Sequence, residues 1–136
     1  MTLINQRTLV DGQILVTQAL GNGAGTTVIG NIDLSPQPYA ATEEFDLVLT
    51  VPALPNNLSG QNIVFQPQHC ATSGGSYVNM PYLAAQTLTG VVTTGSAATT
   101  YRWKITPDAL EFIQILATQT GAGNNSASSV TLALNF

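Results

Sequence analysis

Phe45-Asp46-Leu47-Val48-Leu49-Thr50-Val51-Pro52 decides the fold. Phe45, Leu47, Leu49 and Val51 recur at every second position, the period of a strand with one face against a core. Pro52 has no backbone donor and ends the run. The alternation returns at 99–105, where Tyr101, Trp103 and Ile105 point one way and Thr100, Arg102 and Lys104 the other. It returns again near the end, with Val130, Leu132, Leu134 and Phe136 set against Ser129, Thr131, Ala133 and Asn135. These three segments predict a core containing Phe45, Leu47, Leu49, Tyr101, Trp103, Ile105, Val130, Leu132 and Leu134.

Weaker strand patterns lie at 13–20, 26–34, 62–69 and 86–94, separated by turn chemistry such as Gly21-Asn22-Gly23-Ala24-Gly25 and Ser73-Gly74-Gly75. Residues 106–120 read two ways. Thr106-Pro107-Asp108 suits a helix start, and Leu110, Ile113 and Ala117 fit a helical stripe. A lone helix, however, finds no free sheet face to pack on, so 110–118 is read as a strand. Eight strands with short turns predict an all-β fold, an eight-stranded antiparallel β-sandwich of the jelly-roll kind. Residues 1–12 alternate poorly and are read as an N-terminal arm; 13–136 form a single domain.

Only ten of 136 residues are charged, three basic and seven acidic, against roughly a quarter in ordinary soluble domains. Thr, Asn, Gln and Ser supply the polarity instead, and such groups enter protein interfaces without the penalty of stripping an ion of water. With Arg7, Arg102 and Lys104 as its only cations, the chain is not expected to bind nucleic acid. Its apolar runs are too short to span a bilayer as helices, so no membrane association is expected. The first twenty residues lack an export-signal pattern, and Cys70 is the only cysteine, which together predict synthesis in the cytoplasm.

No catalytic constellation emerges. His69 and Cys70 are consecutive, so on a strand they face opposite ways and cannot readily share a metal ion. No Gly-x-Ser-x-Gly elbow accompanies the single histidine. Glu43-Glu44-Phe45-Asp46 lacks the spacing of a calcium loop. Trp103 and Tyr101 could stack on a sugar, but their alternation with Arg102 and Lys104 assigns them to the core. Neither an enzyme nor a cofactor is expected. Arg102 and Lys104 form a local cationic spot able to meet an acidic partner. In the arm, Thr2, Leu3, Ile4 and Leu9 carry apolar character without a core strand to join, which suits a segment that orders on a partner.

The order of features resembles the small capsid decoration, or cement, proteins of tailed bacteriophages, of the jelly-roll type found as trimers on the outer head. The likeness is carried by the arm at 3–11, Thr26-Thr27-Val28-Ile29-Gly30-Asn31-Ile32-Asp33-Leu34, the strand 45–51, and a tail. That tail runs Arg102-Trp103-Lys104-Ile105, Pro107, 110–120, a glycine turn at 121–123, and 128–136. Residues 52–82 fall outside the likeness. The resemblance implies a homotrimer on the virion's outer capsid surface, bridging subunits of the major capsid protein and stabilising the shell. A carbohydrate- or receptor-binding β-sandwich is the competing expectation, and a pilin-like subunit a weaker one.

Overall fold

The computed structural model describes residues 14–33, 45–72, 74–105 and 109–135. Thr2, Leu3, Ile4, Leu9 and the rest of the expected arm lie outside them. The described residues form β1 (Ile14–Ala19), β2 (Gly25–Asp33), β3 (Phe45–Val51), β4 (Asn62–Cys70), β5 (Val78–Asn79), β6 (Gln86–Thr89), β7 (Thr99–Ile105), β8 (Phe112–Thr120) and β9 (Ser129–Asn135), with no helix. Two antiparallel sheets pack face to face. One has the order β1-β9-β3-β7; the other has β2-β8-β4-β5, with β6 also paired to β4.

All eight segments expected to be strands contain one, but the described count is nine. The addition is β5, which touches β4 only at Gln68 and His69. It shares one edge of β4 with β6, which pairs over Asn62 to Phe65. Pro67 falls in the gap between them. Its carbonyl accepts the Met80 N–H at 3.1 Å on that side, so its missing donor faces the one stretch of edge where no strand asks for it. β6 ends at Thr89, not Thr94, because Gly90 turns in against the Leu58 backbone.

The ambiguous segment is β8, a central strand between β2 and β4. Ile113, Ile115 and Ala117 face inward, and a strand here satisfies the backbone of both neighbours. β2 carries a bulge between Ile29 and Ile32, which pair with Ile115 and Ile113. The extra residue lets both isoleucines reach the core despite their odd spacing.

The core lies between the sheets. Leu47, Leu49, Val51, Trp103, Ile105, Val130 and Leu132 from one side meet Ile29, Ile63, Phe65, Leu88, Ile113 and Ile115 from the other. Tyr101 departs from expectation: it is half-buried on edge strand β7, whereas Trp103 on the same face is covered by the segment that carries Ala84. The Tyr101 ring packs on Phe65 with centroids 5.7 Å apart, and burial raises its hydroxyl pKa above the ordinary 10.0. Val48 faces outward yet is buried, flanked across the sheet by Arg102 and Ala133.

On the outer face of the second sheet an amide chain crosses three strands. Gln114 Nε2 donates to Gln68 Oε1 at 3.0 Å, and Gln68 Nε2 donates to Asn79 Oδ1 at 3.0 Å. Tyr77 donates to Asn31 on β2, reaching across β4 and β8. Near this bridge, outward-facing Gln114 and Cys70 are buried, and burial, with a smaller contribution from Cys70, raises the Tyr77 pKa against the opposing Asn31 bond.

Candidate functional site

Arg102 and Lys104 project from the outer face of edge strand β7, both exposed. Asp46 stands directly across from Lys104 on β3, and its Oδ2 lies 3.8 Å from Arg102 Nη1. A carboxylate thus offsets the cationic spot. An exposed pair of this kind contributes no more than about 1 kcal/mol, and flanking charges also discourage unwanted pairing along an edge strand.

His69 and Cys70 diverge as their consecutive positions require. His69 is buried on the inner side, where Nδ1 accepts the Leu110 N–H at 3.2 Å. Cys70 Sγ donates to Thr72 O at 3.2 Å. Among the described residues no three His, Cys, Asp or Glu groups come together to hold a metal ion. Trp103 is only 4 % exposed, and its Nε1 donates to Ala84 O at 2.8 Å. It offers no open ring face to a sugar.

The surface with a distinct character is an end of the sandwich, a feature that residue-by-residue reading missed. Four loops meet there: 20–25, 52–61, 90–98 and 121–128. Each lies between strands whose ends are in register, as at Ala19 and Ser129, Gly25 and Gln119, Val51 and Thr99, and Asn62 with both Thr89 and Thr120. None of the four contains Asp, Glu, Lys, Arg or His.

These loops are tied to one another. Leu20 N donates to Ser128 O at 3.0 Å, Gly23 N to Gly123 O at 2.9 Å, and Asn125 N to Gly21 O at 3.0 Å. Leu54 and Ser96 exchange backbone bonds of 2.9 and 3.1 Å. Asn56 Nδ2 donates to Asn124 O at 2.7 Å, Asn57 Nδ2 to Ser96 Oγ at 3.1 Å, and Asn125 Nδ2 to Gln119 Oε1 at 3.1 Å. Amide side chains here do the cross-linking that ion pairs do elsewhere, so the end is rigid as well as uncharged. Leu58, Val91 and Val92 nevertheless stand exposed on it.

Next to this end, the outer face of the first sheet carries a row of threonines, Thr100, Thr50 and Thr131, paired across three strands. They line an open depression of about 370 Å³ with Val51, Pro52, Ala98, Thr99 and Ser129. This lining too is uncharged.

Tyr82 is a second feature the sequence did not announce. It is 94 % exposed and follows Pro81 with φ at 68°, a turn position normally given to Gly or Asn. Because its ring contacts almost nothing, Tyr82→Gly is expected to raise stability, by up to about 1 kcal/mol, through relief of the left-handed backbone. Denaturant melts of the two proteins check the sign.

Comparison with known proteins yields no match to a protein-family model, a curated protein or a solved structure.

Proposed function

We propose that this chain is a non-enzymatic virion protein: a jelly-roll subunit that decorates the outer surface of a phage head, bridges major capsid subunits and stabilises the shell. It is made in the host cytoplasm and acts as a homotrimer. The carrying observation is the strand order. With the two-residue β5 set aside, the other eight strands, renumbered in chain order, divide into sheets 1-8-3-6 and 2-7-4-5. That nesting of early strands with late ones supports two interlocked Greek keys. It agrees with the resemblance carried by 26–34, 45–51 and 102–136.

The surface chemistry supports the same reading. Rigid, uncharged faces bury against protein at little desolvation cost, and threefold symmetry multiplies weak contacts through avidity. The attachment footprint is assigned to Thr2, Leu3, Ile4 and Leu9, with Arg102 and Lys104 as its polar margin. The carbohydrate-binding alternative now rests on Tyr82, since Trp103 is buried.

Purified heads with and without the protein test the proposal. Electron microscopy is expected to place it on the outer shell, and attachment is expected to survive raised salt because few ions are involved. Undecorated heads are expected to release DNA at lower temperature. Equal thermal stability of the two populations overturns the stabilising role, whatever the location.

A further inference from the structure

We infer that copies of this chain meet through the uncharged loop end, a surface that deepens the homotrimer part of the proposal and needs nothing of its capsid part. The primary observation is where charge sits along the strand axis. Among the described residues, Asp33 closes β2, Asp46 is second in β3, Lys104 is next to last in β7, and Glu111 immediately precedes β8. All four mark the end opposite the four loops, and Arg102 lies at mid-strand. Among the described residues the sandwich is therefore charged at one end and neutral at the other.

The neutral end also presents apolar groups on a fixed frame. Val92 is 65 % exposed, Val91 46 % and Leu58 37 %. Val91 N donates to Asn57 O at 3.1 Å, Gly90 N to Gln61 O at 2.8 Å, Gly95 N to Val91 O at 3.1 Å, and Thr94 N to Val92 O at 2.8 Å. The turn that holds the two valines outward places Thr93 at φ 66°, an unfavourable conformation for a β-branched residue. Strain of this kind persists only where surrounding contacts over-determine it. The aliphatic tip is thus ordered before any partner arrives, which lowers the entropic cost of association.

Charge distribution selects a second copy as the occupant. Among the described residues the far end carries Asp33, Asp46 and Glu111 against Lys104, an excess of negative charge, so like ends repel unless they stay apart. Three tips meeting about a threefold axis hold the far ends up to roughly 1.7 sandwich lengths apart, on the order of 40 Å at 3.3 Å per strand residue, well beyond the ~8–10 Å screening length. A patch that meets its own image about a symmetry axis also meets its own charges. This one has none to oppose. A partner chosen by charge complementarity would find nothing here to read.

Light scattering on the purified protein at micromolar concentration tests the assignment without any capsid. The wild type is expected to show an oligomer mass. Val92→Asp sets like charges face to face at the contact and is expected to weaken association by at least about 100-fold, leaving the monomer. Val78→Asp adds the same charge at an exposed valine on β5, away from the loops, and is expected to keep the oligomer. Circular dichroism verifies folding of each variant.

If Val92→Asp does not fold, Val92→Cys in a Cys70→Ser background decides. Mild oxidation is expected to give a cross-linked pair of chains, and absence of the cross-link overturns the inference. A monomeric wild type, an unchanged mass for Val92→Asp, or dissociation by Val78→Asp alone also overturns it. Should Val92→Asp keep its mass but lose attachment to heads, the loop end belongs to the shell contact and self-association through it is wrong. Failure of an intact oligomer to bind heads counts against the capsid reading alone.

Discussion

Leu47→Ala is expected to destabilise the fold by about 2–5 kcal/mol, while Thr50→Ala, three residues along the same strand, changes stability by less than about 0.5 kcal/mol. Leu47 is fully buried between the sheets and lies opposite Trp103 on β7 and Leu134 on β9. Truncation removes methyl groups from a site whose cross-strand neighbours are fixed in register, so the space cannot collapse fully. Thr50 points outward from β3 between Thr100 and Thr131 and stays exposed. For a chain of this length each kcal/mol moves the melting temperature by roughly 3–5 °C. Thermal melts of the two variants should differ by about 10 °C. Equal shifts would mean that the alternation along 45–51 does not divide core from surface.

The three strands most legible in the sequence, β3, β7 and β9, are neighbours in one sheet. That sheet has one face on the core and a largely open outer face, the condition under which apolar and polar residues alternate cleanly. The strands of the other sheet were harder to read for physical reasons. A bulge shifts the phase of β2 after Ile29, and the Tyr77 to Asn31 bridge lies over part of the outer face, where Gln114 is buried. Both blur the two-residue period without breaking a strand, whereas Pro67 keeps its inward phase in β4 and obscures that strand only as a residue that strands usually exclude. Tyr101 shows the opposite limit, since alternation reports the side of a strand but not which positions along an edge strand a neighbouring loop covers.

The interaction surface was written in the sequence at a different scale. Every chain reversal sends successive loops to opposite ends, so charge must be compared between alternate connections rather than within one segment. Read locally, Arg102 and Lys104 draw the eye because they are two of three cations. Read by alternate loops, 20–25, 52–61, 90–98 and 121–128 share a complete lack of charge. The strand pattern at 86–94 runs on through Val91 and Val92, and the one local signal against it is Gly90. The strained backbone at Tyr82 and Thr93 had no signal at all, because both residues violate the preferences that make turns readable.

Gly95→Ala is expected to be the most damaging substitution in the loop end, destabilising by roughly 3 kcal/mol or more. Two effects combine there. The backbone has φ at 73°, which an L side chain resists, and a Cβ would overlap the Leu54 carbonyl and the Pro55 backbone. Those atoms belong to the Leu54 and Ser96 bridge that holds 52–61 against 90–98, so they cannot move aside without opening the loop pair. Two companion variants separate the effects. Gly60 has φ at 83° with nothing within 4 Å of the added atom, so Gly60→Ala isolates conformational strain, about 1 kcal/mol. Gly90 has no positive φ but would drive its Cβ into the Leu58 carbonyl and to 2.7 Å from Gln61 O, so Gly90→Ala isolates the steric clash. The expected order of destabilisation is Gly95→Ala, then Gly90→Ala, then Gly60→Ala. Denaturant melts give the order, and hydrogen exchange at the Val91 amide, bonded to Asn57 O, should accelerate in the first two only. A Gly95→Ala protein as stable as Gly60→Ala would show that the loop pair yields freely, and the rigid tip on which self-association depends would then be absent.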